Sequence, residues 1–500
     1  MAKFSEQVHQ LIHSLSASEK AHFKKLNKSS VPNKLTSAFD ILNAHPTFNR
    51  TEIDVEFAAK RISKGIIFGQ LFSSIRRSLS LYHSEKSVTL TLNELINSLE
   101  ILFQKNQREL CLRLIEKGIE LSEQQDMYEY TIMFRSWFLK LERQEQPIVS
   151  DVARDNYAKI LDEIEHLKVM RQYDRLRNEL MGLTRLETTD AKVRKFVVEK
   201  VLEHPILHEN RQDNLTNSQT RELILIGANY LVGRWEEALQ AGLNLLNTTP
   251  DFAELTAKHA IGNRFANLIN IGKLQQLTYR GQESKLTLQL IEDAHEFKDS
   301  LAEKARGNAE FLTKDLIITD LLLSGQLNVA LDQCFDMLEN SPSQYKVRLR
   351  PIEWSIPLIY FLQTEYSKAL AYLNTEFLTS DFTYMNDIGK WLELLCLFMK
   401  RDDEALFESR WRSMNRQIKK ENSGYHWEQA ILETLKRGFG RQDEIIQSLM
   451  SELNESLNSQ QNELRTSVPG AFDFILWTES LAIGKPMAIM MKYRYLGITH

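Results

Sequence analysis

The sequence predicts an all-α chain built as an array of antiparallel helix pairs, and three observations carry that prediction. A short pattern recurs: Gly233-Arg-Trp235-Glu-Glu-Ala238-Leu239, then Gly325-Gln-Leu327-Asn-Val-Ala330-Leu331, then Thr364-Glu-Tyr366-Ser-Lys-Ala369-Leu370. A turn residue, a large side chain two positions on and a small one five positions on let a second helix lie close against a first. Such units cannot bury their apolar faces singly, so they stack. Helix breakers are also scarce, with 10 prolines and 19 glycines in 500 residues, while Leu, Glu, Gln, Lys and Ala favour helix. Strand-like alternation bounded by turn signals is lacking, and the best candidate, Phe472 to Trp477, sits in a segment that suits helix equally well.

The elements follow in order. Phe4, Val8, Leu11, Ile12 and Leu15 fall at helical spacing, and Ser16-Ala-Ser-Glu19 has the form of a capping box opening a second helix with Phe23 and Leu26. Thr51-Glu-Ile-Asp54 repeats the capping pattern, and Ile66 to Tyr82 predicts a longer helix ending near His83. These form a helical N-terminal module over residues 1–86. It is basic: 13 Lys/Arg against 7 Asp/Glu give it +6 within a chain of net charge −5.

Residues 87–222 predict degenerate repeats, beginning with a helix from Thr91 to Lys105 and its partner from Gln107 to Ser122. Within them, residues 151–186 are charge-rich and carry Val169, Tyr173, Leu176, Leu180 and Leu183 at heptad spacing. This predicts a long charged hairpin packed on the array, the alternative being a protruding arm for self-association. Residues 223–465 predict the helix-pair repeats proper. The small-residue position recurs at Ala238, Leu286, Ala330, Ala369, Ala405 and Ile445, after an earlier instance at Cys111, and its intervals within the repeats are 48, 44, 39, 36 and 40 residues. Thr249-Pro250 and Ser341-Pro342 look like a cap followed by proline in the first turn of the next helix. After Ser467-Val-Pro-Gly470, the aromatic and methionine-rich residues 466–500 predict a C-terminal capping helix over the last repeat.

The hairpin pattern resembles the tetratricopeptide family over about residues 220–385, on Gly233, Trp235, Ala238 and Pro250 and on Gly325, Leu327, Ala330 and Pro342. With Leu15-Ser-Ala-Ser-Glu-Lys20-Ala-His-Phe23 and Ser78-Leu-Ser-Leu-Tyr82-His included, the whole chain is similar to a group of long bacterial helical-repeat proteins. The resemblance implies a right-handed α-solenoid and no particular activity. In tetratricopeptide-like arrays the first helix of each pair lines the inner surface, which implies Tyr230, Asp315, Thr319, Trp354 and Lys390 as partner-binding candidates, with Trp354 the one best suited to the core.

Catalytic chemistry finds little support. Gly65-Ile-Ile-Phe-Gly69 lacks the lysine and hydroxyl of a phosphate cradle, no Gly-flanked nucleophile elbow occurs, and Ser343-Gln-Tyr-Lys346 lies just past a proline turn. His9 and His13 share a helix face but have no third ligand nearby, so they suit a solvated surface better than a metal. His204 and His208 are interrupted by Pro205. Asp402-Asp403-Glu404 suits a charged first turn. Cys111, Cys334 and Cys396 sit in apolar stretches as small core residues of a reducing compartment. No secretory signal or membrane-length apolar run is evident, so the cytoplasm is expected. The expectation is a non-enzymatic scaffold with no cofactor and no metal, binding a protein or peptide. The alternative is a regulator whose basic module meets nucleic acid through Lys60, Arg61, Lys64, Arg76 and Arg77. Arg410, Trp411, Arg412, Arg416, Lys419 and Lys420 form a second basic cluster whose tryptophan suits the core.

Overall fold

The computed structural model describes residues 4–498 except 29–32, 84–86, 146–149, 185–190, 209–214, 256–257, 299–300, 302, 341–348, 375–382, 422–425, 462–463 and 466–471. The described residues are helix and connecting turns, with no strand among them. The chain forms two compact units, residues 1–168 and 169–500. The expected breaks at Ser341-Pro342 and Ser467 to Gly470 lie outside the described residues.

The first unit opens with α1 (Phe4–Ser14), α2 (Ala17–Leu26), α3 (Lys34–Ala44), α4 (Arg50–Ala59) and α5 (Lys64–His83). Their core is Val8, Ile12, Phe23, Phe39, Phe57, Leu71 and Ile75, all nearly inaccessible to solvent. The capping box is present: Glu19 N–H donates to Ser16 Oγ at 3.3 Å and Ser16 N–H donates to Glu19 Oε2 at 2.7 Å. The second expected cap is displaced, because Asn49 and not Thr51 precedes α4, its Oδ1 accepting from Thr51 N–H at 3.1 Å. An asparagine oxygen reaches the first free amides as well as a threonine does. His9 is buried, contrary to a solvated pair. Its Nε2 lies 2.7 Å from the His45 carbonyl oxygen, and its ring sits 4.4 Å from that of His13.

The unit continues with α6 (Val88–Gln104), α7 (Arg108–Glu123) and α8 (Tyr128–Glu145), packed around Leu92, Leu99, Cys111, Ile115 and Phe134. The cap of α6 is Ser87, so the expected start at Thr91 falls one turn late; Thr91 Oγ1 instead donates back to the Ser87 carbonyl at 3.1 Å.

The expected hairpin at residues 151–186 is one continuous helix, α9 (Asp151–Thr184). Its face changes partway. In the first unit Glu163 accepts from Arg135 Nε at 2.7 Å. In the second, Val169, Tyr173, Leu176 and Leu180 pack with Val197, Val201, Ile224 and Ala228. The heptad seam is therefore occupied by the chain's own core, so a protruding arm that self-associates through it is not what this seam forms.

The second unit runs through α10 (Ala191–Phe196), which passes into a π turn at Val197–Leu202, then α11 (Leu215–Leu231), α12 (Trp235–Thr248), α13 (Lys258–Leu277), α14 (Gly281–Asp293), α15 (His295–Lys298), α16 (Glu303–Leu323), α17 (Leu327–Asn340), α18 (Arg350–Leu362), α19 (Tyr366–Tyr372), α20 (Thr383–Lys400), α21 (Glu404–Glu421), α22 (His426–Gly438) and α23 (Asp443–Ser459). It ends with α24 (Phe474–Ala482) and α25 (Met487–Leu496). Successive helices pack on one another as pairs: α11 on α12, α13 on α14, α16 on α17, α18 on α19, α20 on α21 and α22 on α23.

One turn geometry joins most pairs. One or two positions past the end of each first helix stands a left-handed residue: Gly233, Tyr279, Gly325, Thr364, Arg401 and Gly440, with φ of 76°, 57°, 80°, 62°, 58° and 72°. In the first four, the next N–H donates to the carbonyl five residues back, as in Arg234 to Asn229 at 2.9 Å and Arg280 to Gln275 at 2.7 Å. The left-handed residue donates three back, as in Gly233 to Tyr230 at 3.2 Å. This is a Schellman motif, which satisfies the free carbonyls at the helix end. Asn106 and Asp126 make the same turn in the first unit.

These turns correct the sequence register. Counting five from Tyr279 gives Ser284, fully buried, whereas the expected Leu286 is 67% exposed. After Arg401 and Gly440 the second helix starts a residue later, so Phe407 and Ile446 take the buried position rather than Ala405 and Ile445. Pro250 does not open a long helix either. Thr249 Oγ1 donates back to the Leu245 carbonyl at 2.7 Å, and a 3-10 turn at Phe252–Glu254 intervenes before α13.

The C-terminal helices do more than cover the last pair. α24 packs on α23, and its Phe474 and Trp477 are fully buried against Trp391, Trp427 and Phe398. The same segment also reaches earlier pairs. Arg465 donates to Glu236 Oε2 at 2.9 Å and lies over the Trp235 ring; Tyr279 Oη donates to Asp473 Oδ2 at 2.7 Å; Tyr495 Oη donates to Asp320 Oδ1 at 2.6 Å. Arg465, Asp473 and Tyr495 thus bridge pairs that are distant in sequence.

Candidate partner-binding surface

The five expected partner-binding residues lie on the first helices of successive pairs, and the structure separates them. Tyr230 on α11 and Asp315 and Thr319 on α16 are half-buried. Between those helices lies α13, whose Lys273 keeps solvent access although the protein around it partly desolvates its ammonium. Lys273 stands six residues before the turn residue Tyr279, the place that Thr319 holds before Gly325. Its ammonium is held above its usual range chiefly by the nearby Tyr230 phenol, against the cost of burial, with the Asp315 carboxylate adding to the effect. Asp315 is raised by burial, and Lys273 offsets part of that shift. Three consecutive first helices therefore present a phenol, a cation and a carboxylate, with the cation within electrostatic reach of the other two.

Thr319 Oγ1 donates within its own helix to the Asp315 carbonyl at 2.9 Å. Trp354 holds the position equivalent to Asp315, ten before the turn residue, but is only 4% exposed and belongs to the core shared by α16 to α25. Lys390 donates to Gln417 Oε1 on α21 at 3.0 Å, which ties it within its own pair. The surface that remains is thus Tyr230, Asp315 and Thr319, to which the structure adds Lys273. Lys273 is the member that sequence reasoning missed, because the turn at Tyr279 lacks a glycine and the register over α13 and α14 was shifted by two.

The basic module has its own pattern. Asp40 pairs with Lys24 at 2.7 Å, Asp54 with Arg50 at 3.9 Å, Glu56 and Glu52 with His45, and Glu19 with His83 at 2.7 Å. Lys60, Arg61, Arg76 and Arg77 are exposed and form no ion pair among the described residues. Lys64 opens α5, and its side chain lies outside the described residues. In the second basic cluster two members are tied into the fold: Arg410 Nε lies 2.9 Å from the buried Glu393, and Trp411 Nε1 donates to the Leu432 carbonyl at 2.8 Å.

No protein family, curated protein or solved structure matches the chain.

Among the described residues, no group of three or more His, Cys, Asp or Glu is arranged to hold a metal, and no helix is long and apolar enough to cross a membrane. His204 and His208 flank a 3-10 turn. His208 Nε2 lies 2.6 Å from the Leu202 carbonyl, while His204 Nδ1 accepts from Ile206 N–H at 3.3 Å. The three cysteines are buried thiols, with Cys334 pushed up to about 12 by burial and the nearby Asp315. Asp403 Oδ1 accepts from Leu406 N–H at 2.8 Å, so the acidic run at 402–404 serves as a helix cap.

Proposed function

We propose that this chain is a non-enzymatic, cytoplasmic helical-repeat scaffold, a right-handed α-solenoid of tetratricopeptide-like pairs, that binds a protein or peptide partner. The observation that carries the proposal is the Tyr230, Lys273 and Asp315 set. Successive first helices bring together side chains of different chemistry that their own pairs do not consume. A phenol, an ammonium and a carboxylate in a partly desolvated setting suit a polypeptide ligand, which offers carbonyls, amides and side chains of both signs. In this reading the surface sits on the first helices of α11 to α17, and the later first helices serve as core.

Capture from native extract tests this. Wild-type chain should retain a discrete protein partner that Lys273→Glu and Asp315→Lys both release, with circular dichroism unchanged. Retention by both variants contradicts the assignment of the surface.

One observation favours a second reading, that of a nucleic-acid-linked regulator. Lys60, Arg61, Arg76 and Arg77 are left exposed by a module whose acids are mostly paired. Phosphate binding of that kind falls steeply with salt and shows little sequence preference.

A further inference from the structure

We propose that the buried polar pocket between α13, α14 and α16 is a tyrosine-recognition site that the chain fills with its own Tyr495, and that it accepts in trans a protein segment presenting a tyrosine at the end of a short apolar helix. The pocket is built for a phenol. Tyr495 Oη donates to Asp320 Oδ1 at 2.6 Å, and the side chains of Gln276 and Ser284 face the same hydroxyl. Gln276 is held in place by its own donation to the Leu316 carbonyl at 2.8 Å, and beside it Thr287 donates to Gln275 at 2.8 Å. Asp320 is 9% exposed and has no cationic partner among the described residues. A hydroxyl donor is what satisfies its carboxylate, since leaving a buried acceptor unpaired is costly. Shape selects as well as charge: a Cβ on Gly281 would collide with the Tyr495 carbonyl oxygen, so glycine is what lets the helix end seat.

The occupant is a short helix on its own connection. α25 is joined to α24 through Gly484, left-handed at φ 67°, and Pro486, which has no N–H to give. It buries Met487, Met490, Met491 and Tyr495, and soft unbranched methionines pack adaptably. By contrast α24 is locked in place by Phe474 and Trp477. Local opening of α25 therefore uncovers a preformed pocket while the rest of the unit stays folded. A tethered occupant also acts at high effective concentration, so a segment in trans competes only when α25 is weakened.

The test uses the full chain with Tyr495→Ala and, as probe, a labelled synthetic peptide of residues 484–500. The peptide should bind the variant about tenfold or more tightly than it binds wild type, and its Tyr→Phe form or an added Asp320→Asn should lose about tenfold of that. Equal binding to wild type and variant, no binding to either, or equal binding by the Phe peptide overturns the proposal. Should Tyr495→Ala fail to fold, Tyr495→Phe removes only the hydroxyl. Amide exchange at residues 276–287 should then quicken while residues 474–482 stay protected, and unchanged exchange at 276–287 counts against the site.

Discussion

Single residues fix the turns on which the repeat depends. Gly233, Gly325 and Gly440 adopt the left-handed backbone without strain, but Thr364 adopts it at φ 62° with a β-branched side chain, at a cost of about 1 kcal/mol or more. Its side chain is exposed, so Thr364→Gly should raise stability by about 0.5–1 kcal/mol in thermal denaturation once the flexibility of glycine is counted. A fall would show that the threonine side chain does more than fill the turn. In the basic module, Glu19 is held below its usual carboxylate range, first by His83 and then by the Ser16 cap. A lowered pKa in the folded state means stability that is present above the ordinary carboxylate value of 4.5 and lost as pH falls through the lowered one. Glu19→Ala should therefore speed amide exchange in α2 at neutral pH, and the gap from wild type should close in acid. A gap that persists in acid would place the effect in packing.

At the scale of elements, the sequence displays helices and pairs where the turn chemistry is glycine and the small residue is alanine. Ala330 and Ala369 are both fully buried, as their spacing implies. Ala330→Phe should overpack the contact of α16 with α17 and cost about 1 to 3 kcal/mol; unchanged thermal stability would contradict the register. Where Tyr279 or Thr364 replaces glycine, the same Schellman turn forms because the pair packing on either side outweighs the local penalty. A pattern read from residue types cannot register that balance. Hence the residue pattern places the small position at Leu286, two residues from the buried Ser284, and passes over Lys273. The caps show the same limit, since Asn49 and Ser87 take positions that Thr51 and Thr91 could have filled. The single helix α9 is hidden for another reason: its contacts change in kind along its length, from the Arg135 and Glu163 ion pair to the apolar Val169 to Leu180 seam.

Across the whole molecule, long-range contacts decide what local pattern could not. The expectation of a capping helix follows from the apolar run after residue 471, and α24 does cover α23. Nothing local announces that Arg465, Asp473 and Tyr495 reach Glu236, Tyr279 and Asp320, because those partners are 175 to 229 residues away. Trp354 belongs to the same large core as the buried residues of α24 and α25. The proposed binding surface is correspondingly confined to α11, α13 and α16, where Tyr230, Lys273, Asp315 and Thr319 remain accessible. The most direct test places a photo-crosslinking residue at position 319 in one chain and at position 77 in another, irradiates each in native extract, and identifies the adducts. The account predicts a discrete protein adduct at 319 that Lys273→Glu abolishes; adducts confined to position 77 and sensitive to nuclease would contradict it.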